Sequence, residues 1–143
     1  MKIAIASDHG GFSLKGQIEE HLLARGLTVI DLGTDSEESV DYPIYGQKCG
    51  KAVTEGRADL GIVICGTGIG ISIAANKIRG IRCALCTSTE MARLAKEHNN
   101  ANVLALGGRT TEPELAMDIV DTWLDAVFEG GRHQRRVDML DQM

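Results

Sequence analysis

Aromatic residues are scarce in this 143-residue chain: two Phe, two Tyr and one Trp make up 3% of it. That argues against aromatic ligand cages and directs attention to the backbone. A broad basic surface is missing as well. The net charge is −5 and the acidic residues are scattered, so nothing would attract a nucleic-acid duplex. The one basic run, Arg132-His133-Gln134-Arg135-Arg136, reads by itself as a solvated helix face near the end of the chain. Long apolar runs are absent too. Met1 to Ala6 leads straight into Ser7-Asp8-His9, too short for a signal peptide or a membrane span, so the protein is expected to stay in the cytoplasm. In that compartment its four cysteines should be reduced. Cys83 and Cys86 have CxxC spacing, but strand alternation would send their thiols to opposite faces. No second cysteine pair or histidine cluster accompanies them, so no zinc or other metal site is expected.

Glycine, by contrast, is abundant at 17 residues, nearly twice its usual share of about 7%. Hydrophobic (43%) and charged (24%) fractions are ordinary for a globular protein, and the length suits one domain spanning residues 1–143. Apolar runs of strand length fall at 2–7, 27–32, 60–65, 81–86 and 103–106. Helical spacing separates them: Leu14, Ile18 and Leu22; Cys49, Ala52 and Val53; a short helix over 71–76; Met91, Leu94 and Ala95; and a long helix from Pro113 to Val127. This alternation predicts a doubly wound, Rossmann-like α/β fold, a five-stranded parallel sheet covered on both faces. Gly130-Gly131 is predicted to end the long helix, with the basic run beginning a C-terminal arm.

Ligands of open α/β sheets sit at the carboxyl ends of strands, so the loops after the first, third and fifth strands matter most. They read Ser7-Asp8-His9-Gly10-Gly11, Cys65-Gly66-Thr67-Gly68-Ile69-Gly70 and Gly107-Gly108-Arg109. The glycine loop can turn bare N–H groups onto an anion. It is GxGxG after the third strand and lacks Gly-Lys-Ser/Thr, so neither a dinucleotide fingerprint nor a P-loop is supported. Cys65 stands just before this cradle, where a helix N-terminus favours a thiolate. The bland alternative is a small buried hydrophobe at a strand end. A cysteine phosphatase would need Arg at position 71, which is Ile71, so a thiolate here is free for proton transfer rather than phosphocysteine chemistry. Asp8-His9, His98-Asn99 and arginines 109, 132 and 136 add acid–base groups and a phosphate clamp.

These residues resemble a known family. Asp8-His9-Gly10, Asp41-Tyr42-Pro43, the run Ile64 to Lys77, His98-Asn99, Asn102-Val103-Leu104, Gly107-Gly108-Arg109 and Gly130-Gly131-Arg132-His133 occur in the order of ribose-5-phosphate isomerase B, across essentially the whole chain. The resemblance implies a homodimeric enzyme that uses no cofactor or metal and converts ribose 5-phosphate to ribulose 5-phosphate through a cis-enediolate. It implies that Cys65 moves the proton between C1 and C2, with Thr67 beside it, and that His98 opens the furanose ring. By the same resemblance Asp8, His9, Tyr42 and Asn99 line the sugar, Gly66, Thr67, Gly68, Ile69 and Gly70 stabilise the enediolate, and Arg109, Arg132 and Arg136 hold the phosphate. Ser7 stands where many relatives have Cys, a departure expected to cost no chemistry.

His98 and Asn99 end the helix before the fifth strand, at the amino edge of the sheet, whereas Cys65 lies at the carboxyl edge, roughly 17 Å away. A site at a two-fold interface, shared between the subunits of a dimer or of a tetramer, is therefore expected. The nearest rivals are isomerases of galactose 6-phosphate or allose 6-phosphate on the same scaffold. The galactose 6-phosphate enzymes pair two different subunits, whereas this chain carries Cys65, His98 and the arginines itself. A nucleotide-binding signalling module is a rival of another class, and would leave Cys65 structural.

Overall fold

The computed structural model describes all residues from Met1 to Met143. Five parallel strands, β1 (Lys2–Ser7), β2 (Thr28–Asp31), β3 (Leu60–Cys65), β4 (Cys83–Leu85) and β5 (Val103–Gly107), form one sheet in the order β2-β1-β3-β5-β4. Six helices connect and cover them: α1 (Phe12–Ala24), α2 (Tyr42–Thr54), α3 (Ile69–Asn76), α4 (Thr89–Glu97), α5 (Pro113–Asp125) and α6 (Arg132–Asp141). This is the three-layer α/β architecture expected from the alternation of apolar runs. No helix is long and apolar enough to cross a membrane.

Side-chain alternation along the strands divides the core in two. Ile3, Ile5, Ile62, Ile64, Leu104 and Leu106 face α1, α4 and α5 and build a thick layer around Trp123. Ala4, Ala6, Val63, Cys65 and Ala105 face α2 and α3. Those small residues form a thinner layer, and glycine lets the two helices lie close. A Cβ on Gly46 would come within 2.9 Å of the Ala74 methyl and 3.0 Å of the Ile71 carbonyl. Cys83 packs on the thin layer and Cys86 on the thick one, opposite faces as strand alternation requires.

Besides shifts of one or two residues at β2, α3 and β5, three boundaries differ from the sequence expectation in ways that shape the fold. The fourth strand is confined to Cys83–Leu85, because the Arg82 N–H is taken by the Asn102 side chain at 2.8 Å. The long helix stops at Asp125, where Ala126 adopts extended angles (φ −72°, ψ 154°), short of the expected Val127. Gly130-Gly131 does not end that helix but starts the next: both glycines have positive φ and Gly131 is the N-cap of α6. The basic run is thus the first turn and a half of a helix. Near its other end, Arg82 pairs with Asp141 at 2.7 Å and Arg79 donates to the Gln142 carbonyl at 3.1 Å, fastening α6 to the chain ahead of β4.

Candidate active site

The three loops at the carboxyl edge interlock through their backbones. Asp8 N–H donates to the Ile64 carbonyl at 3.2 Å, Gly108 N–H to Cys65 at 2.8 Å and Arg109 N–H to Gly66 at 2.9 Å. A Cβ on Gly11 would sit 2.6 Å from the Ile64 carbonyl oxygen, and one on Gly108 would meet Gly10, so side chains at these positions would force the loops apart. The result is a rigid floor made of main chain.

Cys65 is 4% exposed and packs on the thin core, yet its Sγ faces the glycine loop and accepts the Gly68 N–H at 3.2 Å. Gly68 has φ +80° and precedes the first turn of α3, so the sulfur lies at that helix's N-terminus. The Ile69 N–H is capped by Thr67 Oγ1 at 3.2 Å, while the N–H groups of Gly66, Thr67 and Gly70 have no protein partner. An anion entering the loop would find these donors in place. The other cysteines are differently placed. Burial pushes the Cys49 thiol up to about 12 and the Cys86 thiol up to about 11, and it raises Cys83 as well. Those three are kept as thiols in apolar surroundings.

Asp8, His9, Tyr42 and Arg109 gather on this floor. Asp8 Oδ1 accepts the Gly11 N–H at 3.2 Å and thereby fixes a short 3-10 turn, residues 9–11. His9 Nδ1 accepts the Val40 N–H at 3.1 Å, which puts the proton of a neutral imidazole on Nε2. The Tyr42 ring occupies the space a side chain would need at Gly70, and the exposed Arg109 guanidinium lies 3.3 Å from the position of a Cβ on Gly66. Arg109 makes no ion pair in the chain, which leaves its charge free for an anion at the loop. Just beneath, the Ser7 hydroxyl is buried without a hydrogen-bond partner. A thiol, with its weaker hydrogen bonding, tolerates such a place at lower cost.

The remaining predicted residues are elsewhere. His98 is the C-cap of α4, five residues before β5, and Cys65 pairs in register with Gly107 at the far end of that strand. His98 instead meets the start of α6, where Arg132 and Arg136 lie on either side of His133 in sequence and make no ion pairs. The His133 ring stacks on His98 with centroids 4.2 Å apart and 14° between planes, and Glu129 Oε1 lies 3.7 Å from His98 Nε2 and 3.5 Å from His133 Nε2. The sequence reading did not give His133 or Glu129 a role. Only the position of His133 between two arginines hinted at one. The three side chains bring ligand-type atoms within 4.8 Å of one another, but two nearly parallel rings cannot both aim a lone pair at one ion between them. Asn99 lines a cavity of about 720 Å³ bounded by Arg79, Arg82 and Leu140, away from Cys65.

Comparison with known proteins places this arrangement. The family model described as Ribose/Galactose Isomerase matches residues 3–140. The chain is 54% identical to ribose-5-phosphate isomerase B of Escherichia coli K12 over 139 residues, covering 97% of this chain and 93% of that one. Among solved structures it superimposes on ribose-5-phosphate isomerase B of Clostridium thermocellum with a TM-score of 0.98 and 59% identity, over 99% of this chain and 96% of that one. The Mycoplasma genitalium enzyme with bound ribulose-5-phosphate aligns with a TM-score of 0.95 and 45% identity, over 99% and 94% of the two chains. With the glycine loop, the thiol and the matching fold all accounted for, the chain belongs to the ribose/galactose isomerase family and is an aldose–ketose isomerase of the ribose-5-phosphate isomerase B type.

Proposed function

We propose that the protein interconverts ribose 5-phosphate and ribulose 5-phosphate in the cytoplasm, without metal or cofactor, at a site built from two copies of the chain. The observation that carries this reading is the Cys65 sulfur, turned toward a loop whose N–H groups at Gly66, Thr67 and Gly70 are free, with the Arg109 charge beside them. Two features favour a shared site. His98 and Cys65 stand at opposite edges of the sheet of one chain. In addition, α3, directly behind the glycine loop, contains no charged residue, and its Ile69 and Ile73 are 53% and 55% exposed. An uncharged helix that buries Ile71, Ala74 and Ala75 on one side and exposes two isoleucines on another calls for a second apolar cover, which another copy across a two-fold axis would supply.

The chemistry follows from the groups available. The furanose C1 hydroxyl gives its proton to His98 of the partner subunit. Its electrons form the C1 carbonyl, and the C1–O4 pair passes to the ring oxygen, which takes the proton back. The Cys65 thiolate then removes the proton on C2, and the electrons move through C1 onto its oxygen to give a cis-enediolate. N–H groups of the loop stabilise that charge, at about 3 kcal/mol for each well-placed donor. A proton shifts from the C2 oxygen to the C1 oxygen, and the thiol returns its proton to C1 to complete the ketose. Thr67 holds the loop in shape through Ile69. Asp8, His9, Tyr42 and Asn99 line the sugar, and Arg109, Arg132 and Arg136 bind the phosphate.

The test is turnover of a panel of five- and six-carbon aldose phosphates with a chelator present. Ribose 5-phosphate should be converted by the wild type, and Cys65→Ala should lower kcat by about 10³-fold while leaving KM similar. Loss of activity to the chelator would overturn the metal-free mechanism, and tight nucleotide binding without isomerisation would overturn the function itself.

A further inference from the structure

His98 is itself held in place. It is 38% exposed at the end of a helix, a position where an imidazole would ordinarily sample several rotamers. Against it lies His133, whose side chain is only 9% exposed and whose backbone N–H is tied to the Gly130 carbonyl at 3.0 Å. That ring is a fixed plate. Glu129 faces both imidazoles, and its own N–H donates to the Glu97 carbonyl at 3.0 Å, which pins the segment between α5 and α6 onto the last turn of α4. At 3.5 and 3.7 Å the carboxylate is too far for hydrogen bonds to the rings but close enough to act on a charge that develops on either. Nothing in the core requires this trio: Glu129 is half exposed, and only His133 is buried.

We infer that His133 and Glu129 are positioning residues for His98, the stacked ring fixing its plane and the carboxylate steadying the positive charge it acquires while opening the sugar ring. The inference rests on the ring-opening role proposed above for His98. It separates the two halves of the reaction. Ring opening concerns only the cyclic aldose. Removal of a C1 proton from ribulose 5-phosphate, which is acyclic because its C5 hydroxyl is esterified, needs Cys65 and the loop alone.

The experiment follows turnover of ribose 5-phosphate and, by proton NMR in deuterium oxide, exchange at C1 of ribulose 5-phosphate. The wild type, His133→Ala, His133→Phe and Glu129→Gln are compared. A misplaced catalytic group costs up to about 100-fold, so His133→Ala should lower turnover by roughly 10- to 30-fold and Glu129→Gln by roughly 5-fold, with exchange within about threefold of wild type. His133→Phe, which keeps a flat ring against His98, should recover most of the loss. Exchange falling in parallel with turnover would assign the two residues to the whole site and overturn the inference, as would unchanged turnover in His133→Ala. A wild type that exchanges and isomerises while His98→Ala retains full turnover would instead overturn the ring-opening role.

Discussion

The two edges of the sheet carry different kinds of machinery. At the carboxyl edge the working groups are main-chain N–H donors and one sulfur, held by three loops that hydrogen-bond to one another and leave no room for side chains at Gly11, Gly68 or Gly108. At the amino edge the groups are side chains, His98 and Asn99 just past α4 and Arg132 and Arg136 on the exposed face of α6. Backbone geometry can be made rigid only by dense packing, so the first region couples function to stability. The second is tied to the fold by a few contacts and can change with little effect on folding.

Substitutions should separate the two. Gly68→Ala should do the most damage to folding: at φ +80° a Cβ is strained and would sit 2.7 Å from Leu85 Cδ1 and 2.8 Å from the Leu106 backbone. A loss of about 3 kcal/mol in urea unfolding is expected, with activity falling alongside. Asp31→Asn comes next. Lys15, 3% exposed, pairs with Asp31 at 2.6 Å where α1 meets the end of β2. Burial alone would raise the Asp31 carboxyl, but hydrogen bonds from Lys15 and from the Gly33 N–H outweigh it and hold the group below its ordinary value. The stabilisation is therefore complete above the unfolded carboxylate range near pH 4, and is lost as pH falls through the lower folded value. Removing the charge should cost about 2 kcal/mol at pH 7, less than for a fully buried pair because Asp31 is 30% exposed, and should flatten the acid limb of the stability curve. Arg136→Ala, at the other edge, should leave unfolding within about 0.5 kcal/mol of wild type and raise KM by roughly tenfold. A large stability loss there would erase the contrast.

Strand number, sheet direction and the three carboxyl-edge loops were legible in the sequence because a covered parallel sheet writes its strands as apolar runs and its ligand loops as glycine-rich punctuation. The edge strand around Cys83 was less so: its run continues through Ile81 and Arg82, and only the Asn102 side chain taking the Arg82 N–H shortens it. Gly130-Gly131 was misread because a glycine pair serves equally to stop one helix or to start another, and which it does depends on the extended Ala126 upstream. The partnership of His98 with Glu129 and His133 lay beyond pattern reading altogether, since it joins the end of α4 to a chain segment some thirty residues away. The separation of His98 from Cys65 was legible for the opposite reason: helix direction after a parallel strand follows from topology alone.

Whether two chains share each site is the claim on which the rest depends, and subunit mixing tests it directly. Cys65→Ala and His98→Ala should each be nearly inactive as pure proteins. If each site takes its sulfur from one chain and its imidazole from the other, mixed dimers regain one complete site in two. After unfolding and refolding together in equal amounts, the mixture should recover about a quarter of wild-type turnover. A mixture that remains as inactive as its components, although mass spectrometry of the intact assembly detects mixed dimers, would contradict the account.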